Sequence, residues 1–185
     1  IEQKPTEQKV YNKADITTDS DTKTEEDDIK QQYQNELNER RFVDAKKTFE
    51  KILSKETDEN KRKLQLISNY YWRYIHGDTN AFDEFEEYLT KVELDNEQKA
   101  IANRHLSRFY NDAGNNKKAI ELLNEAINFT SNIEDKAFYV SNISNVLYEN
   151  EMKNDAIDIL FEYLTKLKER KSQSILYRSI AQYYK

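Results

Sequence analysis

The apolar residues of this chain recur every three or four positions from residue 29 onward, which is the spacing of amphipathic helices. Four segments share a further pattern, in which an alanine is followed four residues later by a leucine or a phenylalanine. The four alanines are Ala45, Ala81, Ala119 and Ala156. Successive alanines lie 36, 38 and 37 residues apart. A period of this length is typical of stacked supersecondary units rather than of one globular core.

A second amphipathic helix is predicted before each of these segments. Ser107 precedes Ala119 by twelve residues. Ser144 takes the corresponding place in the following unit and Ser68 in the preceding one, where one residue is inserted in the connection. A small residue that faces an alanine lets two helices approach to the short end of the ~8–10 Å range. The repeat unit is therefore predicted to be a helix pair.

Glycine and proline are rare, with two glycines and one proline in 185 residues. Few residues remain that suit hairpin turns between strands, so the composition also favours helices. Gly77 and Gly114 are expected to close two first helices in the left-handed conformation, and Asn150 to do the same in the fourth pair. The predicted fold is all-α, with about four helix pairs plus one further helix over residues 29–185.

Residues 1–28 have a different composition. They contain nine acidic residues, four lysines and the only proline, and they lack a sustained helical or strand period. We therefore predict an acidic, disordered tail or linker at 1–28, ahead of a helical repeat domain at 29–185. The repeat domain itself, with 26 acidic and 25 basic residues, is almost neutral.

Several classes of chemistry lack the residues they need. The chain has no cysteine and only two histidines, which argues against thiol chemistry, disulfides and Cys/His zinc sites. It contains neither a glycine-rich phosphate loop nor a His-Glu-x-x-His motif, and no nucleophile accompanies His105 and Asp112 in a recognisable motif. It also has no run of about 18 apolar residues. We therefore expect no enzyme activity, no cofactor, no metal site and no membrane span.

The segment "NRHLSRFYNDAGNNKKAIELLNEAI" is the most regular copy of the repeat, and it resembles the tetratricopeptide repeat family. The residues that fall at the family's signature spacings are Leu106, Ser107, Tyr110, Gly114, Ala119, Leu123 and Ala126. Asn103 occupies the family's tryptophan position, and no copy has the frequent closing proline. The resemblance implies a right-handed superhelix whose first helices line a concave groove. In the family, such a groove binds an extended peptide or a helix of another protein.

The polar faces of the first helices would then form the binding surface. The predicted peptide-binding residues are Arg104, His105, Arg108, Asn111, Asn142, Asn145, Arg178 and Gln182. Within each helix, residues spaced by three, four or seven share one face. Asparagine amides suit a peptide backbone, and arginine grips a carboxylate with two hydrogen bonds. We expect an acidic or carboxylate-bearing ligand; the alternative is a solvated face without a ligand.

The function that we expect is a non-enzymatic protein–protein interaction scaffold. One alternative is a regulatory or sensor segment of a larger multidomain or membrane-tethered protein. Another is RNA binding by a helical repeat, which the lack of a basic stripe disfavours, so we expect no nucleic-acid partner.

Three further expectations concern the ends of the chain and its location. The apolar last segment, "SILYRSIAQYYK", is predicted to be a first helix whose exposed face needs either more chain or a partner, and a second copy of the chain, in a homo-oligomer, is one such partner. The acidic tail could fold back into the groove as a tethered pseudo-ligand. The expected location is the cytoplasm; the alternative is an extracytoplasmic domain tethered by an anchor upstream of Ile1.

Overall fold

The structure, a computed structural model, describes residues 24–184 and contains only helices and their connections in this range, so the all-α fold is confirmed. The helices of these residues are α1 Glu25–Asn38, α2 Phe42–Lys55, α3 Glu59–Ile75, α4 Ala81–Lys91, α5 Asn96–Asp112, α6 Asn116–Phe129, α7 Ile133–Glu149, α8 Lys153–Lys166 and α9 Arg170–Tyr183. None of these helices combines the length and the apolar content that crossing a bilayer requires.

The first helix begins earlier than the charge pattern indicated. Thr24 caps α1: its hydroxyl accepts a hydrogen bond from the Asp27 amide, and the Asp27 carboxylate accepts one from the Thr24 amide. The acidic residues 25–28 form the first turn, where negative charge stabilises the helix dipole. The predicted boundary after residue 28 therefore falls inside α1. Residues 1–23, where the rest of the predicted tail lies, are outside the described residues.

The alanines of the repeat lie at the contacts within the helix pairs. Ala45, Ala81, Ala119 and Ala156 all have no exposed surface. In the fourth pair, the Ser144 hydroxyl donates a hydrogen bond of 2.7 Å to the Ala156 carbonyl, so the two backbones are in close contact there. The predicted approach of a small residue on the first helix to an alanine on the second is confirmed in this pair.

Each of the four first helices that is followed by a second helix ends in the same kind of turn. Within the described residues, φ is positive at Arg40 (58°), Gly77 (96°), Gly114 (77°) and Glu151 (65°), which are spaced by 37 residues. The next amide bonds to a carbonyl five residues back in each turn, which is the Schellman closure. The prediction for Asn150 is wrong by one residue, because Asn150 has a φ of −101° and Glu151 takes the left-handed place.

The 37-residue spacing of these turns also corrects the alignment of α3. Tyr70 lies seven residues before Gly77, as Ser107 does before Gly114. The Tyr70 ring packs on the Phe85 ring of α4 with 5.3 Å between centroids. Tyr70 therefore occupies the small-residue position of the second pair. The assignment of Ser68 to that position was wrong by two residues, because it counted back from Ala81 with one residue inserted in the connection instead of from the closing turn at Gly77.

First helices of successive units lie side by side and are joined by hydrogen bonds between side chains about one period apart. These bonds are Tyr33–Asn69 (2.7 Å), Tyr74–Asp112 (3.0 Å), Asn111–Glu149 (2.9 Å) and Ser141–Ser179 (2.6 Å). Because such bonds link α1 to α3, α3 to α5, α5 to α7 and α7 to α9, the units stack in chain order. This stacking brings the polar residues of neighbouring first helices to one surface.

Candidate functional site

A pocket of about 130 Å³ lies between the first helices α3, α5 and α7. Five of the eight predicted binding residues line it: Arg104, Arg108, Asn111, Asn142 and Asn145. Leu123 of α6 and Val146 of α7 contribute apolar surface. The structure therefore brings together the arginines of α5 and the asparagines of α7, which are separated by about one repeat in sequence.

Two of these side chains, those of Arg104 and Asn142, form no hydrogen bond to any described residue. The Arg104 guanidinium lies over the Phe138 ring, 4.7 Å from its centroid, and forms no ion pair with a described carboxylate. The Asn142 amide makes no hydrogen bond to a described residue. A planar cation and an amide with both donor and acceptor are thus available in one pocket.

Arg108 differs from Arg104 because its charge is already balanced. Its guanidinium Nε lies 3.0 Å from the Asp112 carboxylate one turn later in α5. Tyr74 of α3 donates a 3.0 Å hydrogen bond to the same carboxylate. Burial, together with this bond to Asp112, raises the pKa of Tyr74 to about 12, so the phenol remains a neutral donor. Arg104 is therefore the arginine of the pocket whose charge no described carboxylate balances in an ion pair.

The remaining asparagines of the pocket are held by neighbouring helices. The Asn111 amide donates to the Glu149 carboxylate at 2.9 Å, which joins α5 to α7. The Asn145 carbonyl oxygen accepts a 2.7 Å hydrogen bond from the Tyr183 hydroxyl of α9. The Tyr183 ring stacks on Tyr148 at 4.1 Å, so its position is fixed. The Asn145 amide nitrogen, in contrast, donates to no described residue and remains available to a ligand.

His105 does not belong to the exposed polar face on which it was predicted to lie. It is 5% exposed and stacks on the Tyr71 ring of α3 with 4.2 Å between centroids. Burial, with a smaller contribution from the Arg104 charge, lowers the pKa of His105 to about 3. The imidazole is therefore neutral near pH 7 and supports the wall of the pocket from behind Tyr71.

Arg178 and Gln182 are exposed on α9 and do not line the pocket. The side of α9 that faces α7 carries Ser179 and Tyr183, which bond to Ser141 and Asn145 respectively. Arg178 and Gln182 each precede one of these residues by one position, and each residue rotates the helix by about 100°. Their side chains therefore point away from the surface shared by α5 and α7.

Tyr71 and Glu149 are pocket residues that the predicted binding set omitted. The sequence did contain a signal for Tyr71, because it precedes Arg108 by 37 residues, the spacing of the closing turns. The misalignment of α3 hid this equivalence. Glu149 occurred on the polar face of its helix, but its bond to Asn111 required the lateral pairing of α5 and α7.

A wider depression of about 470 Å³ adjoins the pocket and shares Tyr71 and Arg108 with it. It extends past His76 and Gly77 to Arg40, at the end of α1. Arg40 forms no ion pair with a described residue, although its neighbour Arg41 forms several. The two cavities together run from the turn after α1 past α3 and α5 to α7, which suits an extended ligand better than a compact one.

Comparison of the chain with family models, curated proteins and solved structures finds no match. Any assignment of function therefore rests on the residues and the geometry described above.

Proposed function

We propose that this chain is a non-enzymatic adaptor of the tetratricopeptide type. In this proposal its helix pairs wind into a right-handed superhelix, and its first helices bind an extended, acidic segment of a partner protein. The observation that carries the proposal is the pocket between α3, α5 and α7, where Arg104 and Asn142 keep unpartnered hydrogen-bonding groups. If these polar side chains only faced solvent, nothing would require them to converge on one concave pocket.

The two available groups suit different parts of a peptide. The Arg104 guanidinium offers two parallel donors to a carboxylate, and its position over Phe138 restricts its orientation. The Asn142 amide offers one donor and one acceptor, which match a peptide unit. Arg40, at the far end of the adjoining depression, would bind a second acidic residue of the same segment. The proposed ligand is therefore an extended peptide with separated acidic residues.

A nucleic acid fits this surface less well. Asp112 balances the charge of Arg108, and Glu149 lies on the wall of the same pocket. A phosphate backbone requires several cations without such acidic neighbours. The pocket has no such row of unopposed cations, so the proposal is restricted to peptides.

The proposal is tested with an array of random dodecapeptides. We expect the bound peptides to be enriched in Asp and Glu. For one bound peptide, Arg104→Gln should weaken binding by about 10- to 100-fold in fluorescence anisotropy, because a hydrogen bond to a charged group is lost. Lys117→Gln is the matched control, since it removes one positive charge from an exposed position of α6. Equal affinity of Arg104→Gln and the unaltered protein would contradict the proposal.

A further inference from the structure

A second pocket, of about 330 Å³, lies between the helices α1, α2 and α3. Most of its lining surface is apolar, and none of the described residues that line it is acidic. Trp72 of α3, which lines it, is 44% exposed, whereas Phe49 of α2 is buried. A large aromatic ring thus faces water inside a concavity, where an apolar group of a ligand would cover it. We call this cavity the apolar pocket.

The apolar pocket is the repeat equivalent of the peptide pocket, which lies between α3, α5 and α7. Two repeats amount to 74 residues, the distance in sequence between the closing turns at Arg40 and Gly114. Six residues that line the apolar pocket lie 74 positions before six that line the peptide pocket, and they are Lys30, Tyr33, Gln34, Phe49, Ser68 and Trp72. Both pockets therefore occupy the same place in the repeat, between two successive first helices.

A pocket at this place stays open when further units flank it on both sides. The peptide pocket has α3 on one side, and α9 packs against α7 on the other, where Tyr183 bonds to Asn145. Because the units stack in chain order, a unit ahead of α1 would pack on the side of α1 that faces away from α3. The opening of the apolar pocket therefore does not depend on whether a unit precedes α1.

The two pockets carry different chemistry at equivalent positions. Where the peptide pocket has the buried Val146, the apolar pocket has the larger and more exposed Trp72. Lys30 takes the place of Arg104, but Glu26, one turn earlier in α1, balances its charge. The apolar pocket therefore suits a large apolar side chain, such as leucine, better than a carboxylate.

Two neighbouring rings of α3 connect the pockets. Tyr71 lines the peptide pocket, and the Trp72 ring stands edge-on to the Tyr71 ring with 6.0 Å between centroids. Since packed helices lie about 8–10 Å apart, pockets separated by two units are about 16–20 Å apart. An extended chain rises about 3.3 Å per residue, so it covers this distance in about five or six residues.

We propose that the apolar pocket binds a large apolar side chain of the same partner segment whose acidic residue binds Arg104. The two residues of the segment would lie about five or six positions apart. This inference rests on the proposed function, because the acidic residue at Arg104 sets the register of the segment. It narrows the ligand from any extended acidic peptide to one with an acidic and a large apolar residue at this separation.

A set of fluorescein-labelled dodecapeptides tests the separation. Each contains one aspartate and one leucine, two to nine positions apart and in either order, in a background of glycine and serine. We expect the tightest binding to the full chain, measured by fluorescence anisotropy, at a separation of about five or six positions. In that peptide, replacement of the leucine by serine should weaken binding about tenfold, because the burial of apolar surface is lost.

Trp72 is the only tryptophan of the chain, so its emission reports directly on the apolar pocket. The unlabelled leucine peptide should move the emission to shorter wavelength, because its side chain removes water from the indole ring. The serine peptide at saturating concentration should leave the emission unchanged. An unchanged emission with the leucine peptide overturns the proposal.

A double-mutant cycle locates the leucine at Trp72. Trp72→Ser should weaken binding of the leucine peptide about tenfold and leave the serine peptide unaffected, so most of the leucine effect disappears in this variant. Phe161→Ser, which removes an exposed aromatic side chain from α8, is the matched control and should leave both peptides unaffected. Equal binding of the two peptides to the unaltered chain, or an undiminished leucine effect in Trp72→Ser, overturns the proposal.

The Arg104→Gln variant separates a failure of this proposal from a failure of the proposed function. If Arg104→Gln weakens both peptides and the leucine has no effect, the apolar pocket is not a subsite and the proposed function stands. If Arg104→Gln weakens neither peptide, both proposals fail. A peptide of residues 1–23 that moves the Trp72 emission, or a dimer in sedimentation that Trp72→Ser dissociates, overturns the proposal in favour of the chain's own tail or of a second copy.

Discussion

The first two helix pairs and the next two place different chemistry at the same repeat positions. Where the fourth pair has Ser144 in contact with the backbone at Ala156, the first has the Tyr33 ring 5.6 Å from that of Phe49. The second pair follows the first, with Tyr70 on a phenylalanine ring. The same closing turn thus accommodates both a close contact of small residues and a wider contact of rings.

The contrast extends to the last turn of each first helix. The residue four positions before the left-handed one is Glu36 in the first pair, Arg73 in the second, Tyr110 in the third and Leu147 in the fourth. Glu36 and Arg73 are 2% and 1% exposed. The N-terminal pairs therefore bury charged groups at a position that the C-terminal pairs fill with an aromatic or apolar side chain. The repeat determines the path of the backbone but leaves the chemistry of its interior open.

Arg73 shows how a buried charge is accommodated. Its guanidinium Nε donates to the Asp78 carboxylate at 2.7 Å, and another of its nitrogens donates to Glu84 at 2.8 Å. Lys46 of α2 contacts Glu84 in turn. This cluster joins α2, α3 and α4, so the N-terminal pairs depend on a polar network where the C-terminal pairs depend on apolar packing.

The largest loss of stability is expected when position 73 of the second pair receives leucine, the residue that the fourth pair has at the equivalent position 147. Arg73→Leu leaves the buried Asp78 without its cation and leaves Glu84 with Lys46 alone, and should lower the free energy of unfolding by about 3–5 kcal/mol. Urea denaturation measures this loss.

A triple variant tests whether the network itself, rather than the apolar replacement, causes that loss. Arg73→Leu with Asp78→Asn and Glu84→Leu installs the residues found at the equivalent places of the other pairs. It should recover most of the lost stability, because no unpaired buried carboxylate remains. Lys91→Met, which breaks an exposed ion pair of α4, should change stability little. A triple variant as unstable as Arg73→Leu would refute this account of the N-terminal pairs.

His105 lies on α5, where the third helix pair contacts the second, and it should make the free energy of unfolding depend on pH. Its folded-state pKa of about 3 is below the ordinary 6.5, so the unfolded chain takes up a proton that the folded chain does not. The contribution of His105 to the free energy of unfolding is fully present above pH 6.5 and is lost as the pH falls. The loss reaches about 2 kcal/mol near pH 5. His105→Asn, which places there the amide found at Asn142, should remove this part of the pH dependence in urea titrations. An unchanged pH dependence in His105→Asn would contradict the assignment to His105.

The smallest changes in the free energy of unfolding are expected from substitutions in the closing turns. Glu151 is exposed and has the left-handed conformation that glycine adopts in the second and third pairs. Glu151→Gly should raise the unfolding free energy by about 1 kcal/mol, and Gly114→Ala should lower it by a similar amount. Apart from Gly114 itself and its two chain neighbours, no described residue has an atom within 4 Å of a Cβ added at Gly114, so the loss there reports the backbone conformation alone. Destabilisation by Glu151→Gly would show that the fourth turn differs from the others.

The spacing of the alanines and the scarcity of glycine and proline were sufficient to predict the all-α fold and its helix pairs. The polar stripes were sufficient to place Arg104 and Arg108 on one face of α5, because residues spaced by three or four share a helix face. That Asn142 of α7 would lie near them was expected only from the resemblance to tetratricopeptide repeats. The alignment of α3 failed because a tyrosine occupies a position where small residues were assumed. The start of α1 was missed because its acidic first turn has the composition of a linker.

The sequence by itself therefore determined the elements, their order and the residues available on each helix face, because these follow from local spacing. Only the tertiary structure decided which polar residues are buried and which are bound by a neighbour. His105 lies behind Tyr71, and Arg73 pairs with Asp78 and Glu84, because other helices or turns supply their partners. Arg178 points away from the pocket because Ser179, one residue later, faces α7. Such contacts depend on how helices are rotated against each other, which the hydrophobic period of one helix specifies only roughly.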